Sequence, residues 1–151
     1  MAKPPRIRQT FLYAATRKRV FATLTEPKEL ARWFLKDASV HLEEGGEFRF
    51  TWRGGYTMKG RVRRVRPPSR LELVWTDRFD GGRTYKTVAR FDLKVKGAMT
   101  QLQLTHDGFK SGRKWVALFG AIEAGWAYYL TNLRSVLEHG TDLRNDGDAI
   151  A

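Results

Sequence analysis

Three features are missing from this sequence, and each absence excludes a class of protein. There is no cysteine, which excludes a disulfide framework and thiolate chemistry. The most apolar stretch, residues 115–138, carries Glu123 within it, where a bilayer would impose a cost of several kcal/mol, so no membrane span is predicted. The N-terminus, MAKPPRIRQT, has the positive charge of a signal peptide but not its apolar region, so we expect a cytoplasmic protein.

Motifs of metal and nucleophilic catalysis are also absent from the sequence. The three histidines, His41, His106 and His139, lack partners at metal-ligand spacing, and neither HExxH nor GxSxG occurs. The segment GYTMKGRV approaches the spacing of a phosphate loop but has Arg61 and Val62 where Lys and Ser or Thr are needed. The sequence therefore predicts no metal site and no cofactor.

What the chain does contain is enough apolar material for one core. Its 151 residues, 42% hydrophobic and 13% aromatic, suit a single ordered domain. We assign residues 1–140 to that domain and residues 141–151 to a polar tail that frays. The 28 basic and 16 acidic residues leave a net charge of +12, which favours anionic partners without identifying one.

The hydrophobic pattern predicts strands, two short helices and one long helix. A first strand, RIRQTFLYA, precedes a helix capped by Thr16 and a second helix, TEPKELARWF, with Trp33 and Phe34 on its apolar side. Six strands follow, beginning with one at residues 39–43, and turns rich in glycine and proline separate them. A long amphipathic helix is predicted at residues 114–139.

Alternation assigns apolar side chains to one face of the strands and charged side chains to the other. The apolar face consists of Phe48, Phe50, Trp52, Met58, Val62, Leu71, Leu73, Trp75, Phe91, Leu93, Leu102 and Leu104. The stripe on the long helix consists of Trp115, Phe119, Ile122, Trp126, Tyr129, Leu130, Leu133 and Leu137. Both are buried together in an α+β fold whose curved antiparallel sheet wraps around the long C-terminal helix.

This order of elements resembles the START-like SRPBCC superfamily and, within it, the family of activator of heat-shock-protein-90 ATPase homologues. The resemblance covers about residues 7–139 and rests on five segments in order: RVFATLTEPKELARWF, LEEGGEFRF, GRVRRVRPPSRLELVWTD, TQLQLTHDGF and GWAYYLTNLRSVLE. It concerns only the C-terminal-type domain of the chaperone activator. It implies the helix-grip fold, in which a curved sheet and the long helix enclose an apolar cavity.

The resemblance implies several activities rather than one, since related members bind lipids or hydrophobic small molecules, act as cyclases, or serve as chaperone partners. We favour binding of a hydrophobic or amphipathic small molecule in the cavity between sheet and helix. The alternatives are an enzyme of the cyclase or hydrolase type acting on that ligand, and a heat-shock protein 90 co-chaperone of the stress response. A monomer and a homodimer both remain open.

The residues expected around the cavity are mainly aromatic, because rings supply apolar area and a few directional N–H or O–H contacts. They are Phe50, Trp52, Met58, Trp75, Phe91, Ile122, Trp126 and Tyr129. Plain core packing is the alternative for each of them.

Two polar residues are in phase with the apolar face and are the candidates for catalysis. His106 follows Leu102 and Leu104 in alternation, which predicts a position at the cavity mouth as acid or base. Asp77, in phase with Trp75, is its possible partner. The alternative for His106 is a histidine at a strand end in water.

Two basic regions suggest anionic partners. Lys110, Arg113 and Lys114 surround the start of the long helix, where the helix dipole attracts a phosphate or carboxylate; screening by water and salt is the alternative. The stripe of Lys59, Arg61 and Arg63 suggests nucleic acid. The aromatics alternate to the opposite face, so we predict a solvated outer face rather than a nucleic-acid surface.

Overall fold

The computed structural model describes residues 4–78 and 82–144. The elements of that part are β1 (Ile7–Tyr13), α1 (Arg17–Thr25), α2 (Pro27–Trp33), β2 (Asp37–Val40), β3 (Glu47–Thr51), β4 (Thr57–Arg66), β5 (Arg70–Arg78), β6 (Thr84–Lys96), β7 (Met99–Asp107) and α3 (Arg113–His139). The strands form one curved antiparallel sheet in the order β1-β7-β6-β5-β4-β3-β2. The predicted α+β class and its long C-terminal helix are confirmed.

Local sequence signals explain the two short helices after β1. The Thr16 hydroxyl accepts a hydrogen bond from the backbone N–H of Arg19 at 3.1 Å, which caps the start of α1. Pro27 opens α2, where its missing N–H has no helical partner to lose. The two helices therefore follow one another with only Glu26 between them.

The boundary of β2 differs from the prediction of 39–43. β2 begins and ends earlier, at Asp37 and Val40, because the chain turns over the next six residues to reach β3. The backbone N–H of His41 still bonds the carbonyl of Glu47 at 3.0 Å in the strand register, but the carbonyl of His41 accepts from the N–H of Glu43 at 2.9 Å and so begins the turn. The turn therefore takes the carbonyl that a longer strand would use for its partner strand.

The inner face of the sheet packs as the alternation predicts. All twelve residues assigned to it are buried, each at most 7% exposed. On the outer face Arg49, Lys59 and Arg61 are exposed to solvent. Alternation with a period of two residues therefore identifies correctly which side of each strand faces the core.

Hydrogen bonds tie α3 to β1 and α2. The hydroxyl of Tyr13 donates to the carbonyl of Leu130 at 2.8 Å, and the side-chain amide of Asn132 donates to the carbonyl of Trp33 at 2.9 Å. α3 ends at Gly140, which adopts the left-handed conformation at φ 67°. Neither α3 nor any other helix of the described ranges combines the length and hydrophobicity that a membrane crossing requires.

Within the segment predicted to fray, the described residues 141–144 follow α3 and one of them, Arg144, is buried against α2. Arg144 is 8% exposed and donates to the carbonyls of Leu35 at 3.1 Å and Ala31 at 2.9 Å. These carbonyls lie at the end of α2, so the chain after α3 folds back and closes that end. The rest of the predicted tail, 145–151, and residues 79–81 lie outside the described residues.

Candidate functional site

The interior between the sheet and α3 is built around the ring of Phe34. Phe34 follows the last residue of α2 and is 5% exposed. Its ring centroid lies 4.9–6.4 Å from those of six other aromatic residues: Trp33, Phe50, Trp52, Trp75, Trp126 and Tyr129. We call Phe34 and these six residues the aromatic cluster.

The aromatic cluster leaves little free space beside it. The cavity that remains measures about 10 Å³, roughly the space that one water molecule needs. It is lined by Leu24, Leu30, Trp33, Phe34, Phe50, Leu73, Trp75, Phe91 and Trp126. Four of the eight predicted ligand-binding residues are therefore in this lining: Phe50, Trp75, Phe91 and Trp126.

The other four predicted ligand-binding residues lie farther from the small cavity. Trp52 and Tyr129 contact the ring of Phe34, with centroids 5.4 and 5.0 Å away. Met58 is buried in the sheet at 2% exposure, and Ile122 is partly buried on α3. The structure thus gathers most of the predicted set around one place, but that place is occupied by protein.

Two buried indole N–H groups of the aromatic cluster have no hydrogen-bond acceptor. The Nε1 atoms of Trp52 and Trp75 are inaccessible to solvent and make no hydrogen bond to any described residue. Trp33 and Trp126, in contrast, donate to a backbone carbonyl and to His106. A buried donor without an acceptor costs about 1–3 kcal/mol. The interior therefore contains two donors that an acceptor atom would stabilise.

His106 is fully buried, so its predicted place at the mouth of a cavity is wrong. Trp126 on α3 covers it and donates from Nε1 to His106 Nδ1 at 3.0 Å. The proton therefore sits on Nε2, which donates to the Thr87 hydroxyl at 2.8 Å. Burial lowers the pKa of His106 to about 3, so the ring is neutral. In this conformation His106 links α3 to the sheet, and neither nitrogen is free for acid or base chemistry.

Asp77 lies beside Tyr85, its cross-strand neighbour, and the structure does not bring it to His106. Burial raises the pKa of the Asp77 carboxyl, although hydrogen bonds from the backbone N–H of Arg78 and from the Tyr85 hydroxyl oppose the rise. Burial, and then the nearby carboxylate, raise the pKa of Tyr85. Both ring nitrogens of His106 already have partners, so Asp77 cannot orient that ring. Within the described ranges, no three histidine or acidic side chains form a group that could hold a metal.

An open groove of about 580 Å³ lies at the N-terminal end of α3. It is lined by Arg83, Thr84, Tyr85, Lys86, Lys110 and Trp115. Lys110, one of the three predicted anion ligands, is in this lining, while Arg113 and Lys114 are exposed in the first turn of α3. That turn contains no acidic residue, so the groove and the helix start form one positive region.

The basic stripe on the outer face is partly neutralised by acidic neighbours. Arg61 lies 3.9 Å from Glu47, and Arg63 lies 3.6 Å from Glu72. Lys59 is exposed on the same strand. The aromatic cluster packs against the opposite face of the sheet, so it offers this stripe no rings on which bases could stack.

Sequence reasoning missed the two features that organise the interior. Helical periodicity assigns Phe34 only to the apolar side of α2, because it cannot show which ring reaches the centre of the sheet. Arg144 was assigned to the tail, because a single arginine in a polar segment carries no periodic signal. Only the tertiary fold brings the two together.

A curved antiparallel sheet that grips a long C-terminal helix over an aromatic interior defines a helix-grip, START-like domain. The chain belongs to the family described as Activator of Hsp90 ATPase homolog 1-like protein, whose sequence profile matches residues 14–138. No curated protein sequence matches the chain.

Several solved structures share the fold. Protein MLL2253 from Mesorhizobium loti has a TM-score of 0.80 and 20% identity, over 92% of this chain and 100% of that one. The Aha1 dimer from Colwellia psychrerythraea has a TM-score of 0.76 and 21% identity, over 91% and 98%. PFC0360w, an HSP90 activator from Plasmodium falciparum, has a TM-score of 0.71 and 23% identity, over 87% and 95%. At these identities the likeness shows the fold alone.

Proposed function

We propose that the protein binds a hydrophobic or amphipathic small molecule between the sheet and α3. The observation that carries this proposal is the pair of buried, unpaired indole N–H groups of Trp52 and Trp75 inside the aromatic cluster. A ligand that is apolar over most of its surface and bears an acceptor atom suits both the rings and the donors. Membership of a START-like family supports the same function.

Binding needs more room than the present 10 Å³, and the first half of α3, which leads into Trp126 of the lining, is the part of that helix that moves at least cost. No residue of 113–125 is buried, whereas 126–136 contains six buried residues. Few contacts are lost when a poorly buried segment moves away from the sheet, so such segments open most readily.

A neutral fluorescent probe, N-phenyl-1-naphthylamine, tests the proposal. Native protein is expected to take it up saturably at a stoichiometry of about one, with quenching of tryptophan emission. Leu24→Phe, in the lining of the small cavity, is expected to reduce uptake, while Val95→Phe, at a position 61% exposed, leaves it unchanged. A folded protein that shows no saturable uptake would overturn the proposal.

A chaperone-partner role is the second candidate, and the family description and the Plasmodium falciparum HSP90 activator favour it. It requires binding to heat-shock protein 90 and a faster ATPase; no stimulation at saturating protein would remove it. Sedimentation of the same samples distinguishes monomer from homodimer, the state of the Colwellia psychrerythraea relative.

Turnover of the bound molecule is a third candidate, with His106 and Asp77 as the residues that the sequence nominates. His106 contacts the aromatic cluster through Trp126, so a ligand in the cluster would lie close to it. If His106 is catalytic, His106→Gln should abolish turnover without abolishing binding. Turnover that survives this substitution removes His106 from the mechanism.

A further inference from the structure

The aromatic ring of Phe34 occupies the interior between the sheet and α3. The ring comes from the end of α2, not from the sheet or α3, yet it stands among residues of both. Trp126 stacks on it at 5.4 Å, while Trp52 and Tyr129 meet it edge-on at 5.4 and 5.0 Å. The surrounding side chains therefore form a site of the right size and shape for one planar aromatic ring.

Phe34 fills this site, while the indole donors of two neighbouring residues stay unsatisfied. The rings of Trp52 and Trp75 lie 5.4 and 6.4 Å from that of Phe34, and both carry a buried N–H that has no acceptor among the described residues. Phenylalanine has no polar side-chain atom, so its ring offers neither N–H an oxygen or nitrogen acceptor. A molecule with a ring of similar size and a carbonyl oxygen offers the same packing and an acceptor.

Arg144 fixes the backbone on both sides of Phe34. Its guanidinium donates to the carbonyls of Ala31 at 2.9 Å and Leu35 at 3.1 Å. One carbonyl precedes Phe34 in the chain and the other follows it. The side chain of Arg144 is 3% exposed, so these hydrogen bonds are shielded from water.

Asn132 and Asp142 complete this attachment. Asn132 donates to the carbonyl of Trp33 at 2.9 Å and to the Asp142 carboxylate at 3.0 Å. The same carboxylate accepts from Arg144 at 3.0 Å. Burial raises the pKa of Asp142, but hydrogen bonds from Arg144 and Asn132 outweigh it and lower this pKa to about 2. We call Asn132, Asp142 and Arg144 the clasp.

We propose that the ring of Phe34 occupies the ligand site when no ligand is bound, and that the clasp keeps the ring in that site. The ligand is a planar aromatic molecule bearing a hydrogen-bond acceptor such as a carbonyl oxygen. This inference rests on the proposed function and adds the ligand class and the residue displaced. The ligand's ring takes the site of Phe34, and its oxygen accepts from Trp52 or Trp75. Apparent affinity then depends on the fraction of molecules in which Phe34 has left.

The experiment compares acetophenone, a ring with a carbonyl, with ethylbenzene, a ring of similar size without an acceptor. Binding is followed on the indole N–H resonances of ¹⁵N-labelled full-length protein. Acetophenone is expected to shift the Trp52 and Trp75 resonances saturably and farther than ethylbenzene does. Phe34→Ala is expected to bind acetophenone about tenfold more tightly or better, because the competing ring is gone.

Two variants separate this role from a general effect of making a cavity. Phe109→Ala removes the same ring at a position 1% exposed whose recorded ring partners are His106, Trp115 and Phe119. It is expected to leave acetophenone affinity unchanged. Arg144→Gln loosens the clasp and leaves the aromatic cluster intact, and it is expected to tighten binding by a smaller factor than Phe34→Ala.

Each outcome decides the question. Equal tightening in Phe34→Ala and Phe109→Ala overturns the place-holding role, and unchanged affinity in Arg144→Gln overturns the role of the clasp. Binding of the naphthylamine probe without indole shifts from acetophenone refutes the ligand class while the proposed function stands. Absence of all binding, the probe included, removes both. If Phe34→Ala does not fold, Phe34→Leu, which keeps an apolar side chain without a ring, takes its place.

Discussion

The two halves of α3 lie against the same fold but are held very differently. The second half, residues 126–139, buries Trp126, Tyr129, Leu130, Asn132, Leu133 and Val136. The first half, residues 113–125, has no fully buried side chain: Trp115, Leu118, Phe119 and Ile122 are only partly buried, and Val116 is 70% exposed. A continuous apolar stripe therefore does not guarantee continuous burial, because a side chain is buried only where another surface faces it.

The difference follows from what each half meets and from what it is made of. The second half is bonded to β1 and α2 through Tyr13 and Asn132. The first half has small side chains at five positions: Ala117, Gly120, Ala121, Ala124 and Gly125. Alanine and glycine offer little apolar area to bury, and glycine also weakens a helix, so this half gains little from packing. The second half, which we call the anchored half, contributes Trp126 and Tyr129 to the aromatic cluster. The first half, which we call the loose half, contributes no member of that cluster.

Equal truncations in the two halves give the largest expected effect. Leu133→Ala, at a fully buried position, is expected to lower the free energy of unfolding by about 2–5 kcal/mol. Leu118→Ala, at a half-buried position of the first half, is expected to lower it by about 1 kcal/mol or less. Urea denaturation of both variants measures the two losses. Losses of equal size would show that the first half is as firmly packed as the second.

The boundary between the halves should respond to acid, because Trp126 bonds to His106 there. The pKa of His106 is lowered from 6.5 to about 3 by burial, so between these values the unfolded chain binds a proton that the folded chain does not. The stability that neutral His106 contributes is therefore complete above pH 6.5 and is lost as pH falls, by up to about 1.4 kcal/mol per pH unit.

The measurement is the urea-unfolding free energy of wild type and His106→Gln between pH 7 and pH 4.5. The lower end of this range lies roughly two pH units below the pKa of histidine in the unfolded chain. The variant is expected to show a shallower loss of stability as pH falls, because its side chain does not titrate. A wild-type slope in His106→Gln would mean that His106 is not the group that titrates.

The fold could be predicted from the sequence because alternation and helical periodicity are local properties. Every residue assigned to the inner face, from Phe48 to Leu104, is buried. Periodicity also gave the correct side of α3, but it predicted one uniform stripe from Trp115 to Leu137. It reports which side of a helix is apolar and not whether a partner surface reaches that side, so the difference between the halves was not predictable.

The candidate site was predictable only in part, for the same reason. Trp75 and Trp126 were placed correctly in the interior, since strand and helix phases both pointed there. Alternation predicted the correct face of β7 for His106 but not its burial, because alternation does not say how far α3 extends over a strand. Phe34 and Arg144 enter the site from separate segments, and no local pattern connects them.

Two hydrogen bonds from β1, one to each half of α3, give the next smaller effect. The Tyr13 hydroxyl bonds the second half at the carbonyl of Leu130, and burial raises the pKa of Tyr13, so the hydroxyl stays protonated and donates. The Gln9 amide bonds the first half at the carbonyl of Glu123, 2.9 Å away in an exposed setting. Tyr13→Phe is expected to cost about 1 kcal/mol of unfolding free energy, and Gln9→Ala less. A larger loss in Gln9→Ala would reverse the assignment of the anchored half.

The smallest effect is expected at the start of the loose half, where the positive region offers an anion site. Phosphate is expected to shift the amide resonances of residues 111–114 saturably, and those of residues 59–63 on the outer face only weakly. Lys110→Ala, in the groove, should reduce the first response, and Lys59→Ala, on the outer face, should not. If the anion also orders the first half of α3, hydrogen exchange at residues 116–124 slows when phosphate is added and the contrast between the halves narrows. Equal, weak shifts at both regions would show that phosphate acts only by screening charge. The poor burial of the first half of α3 would then be explained by its side chains alone.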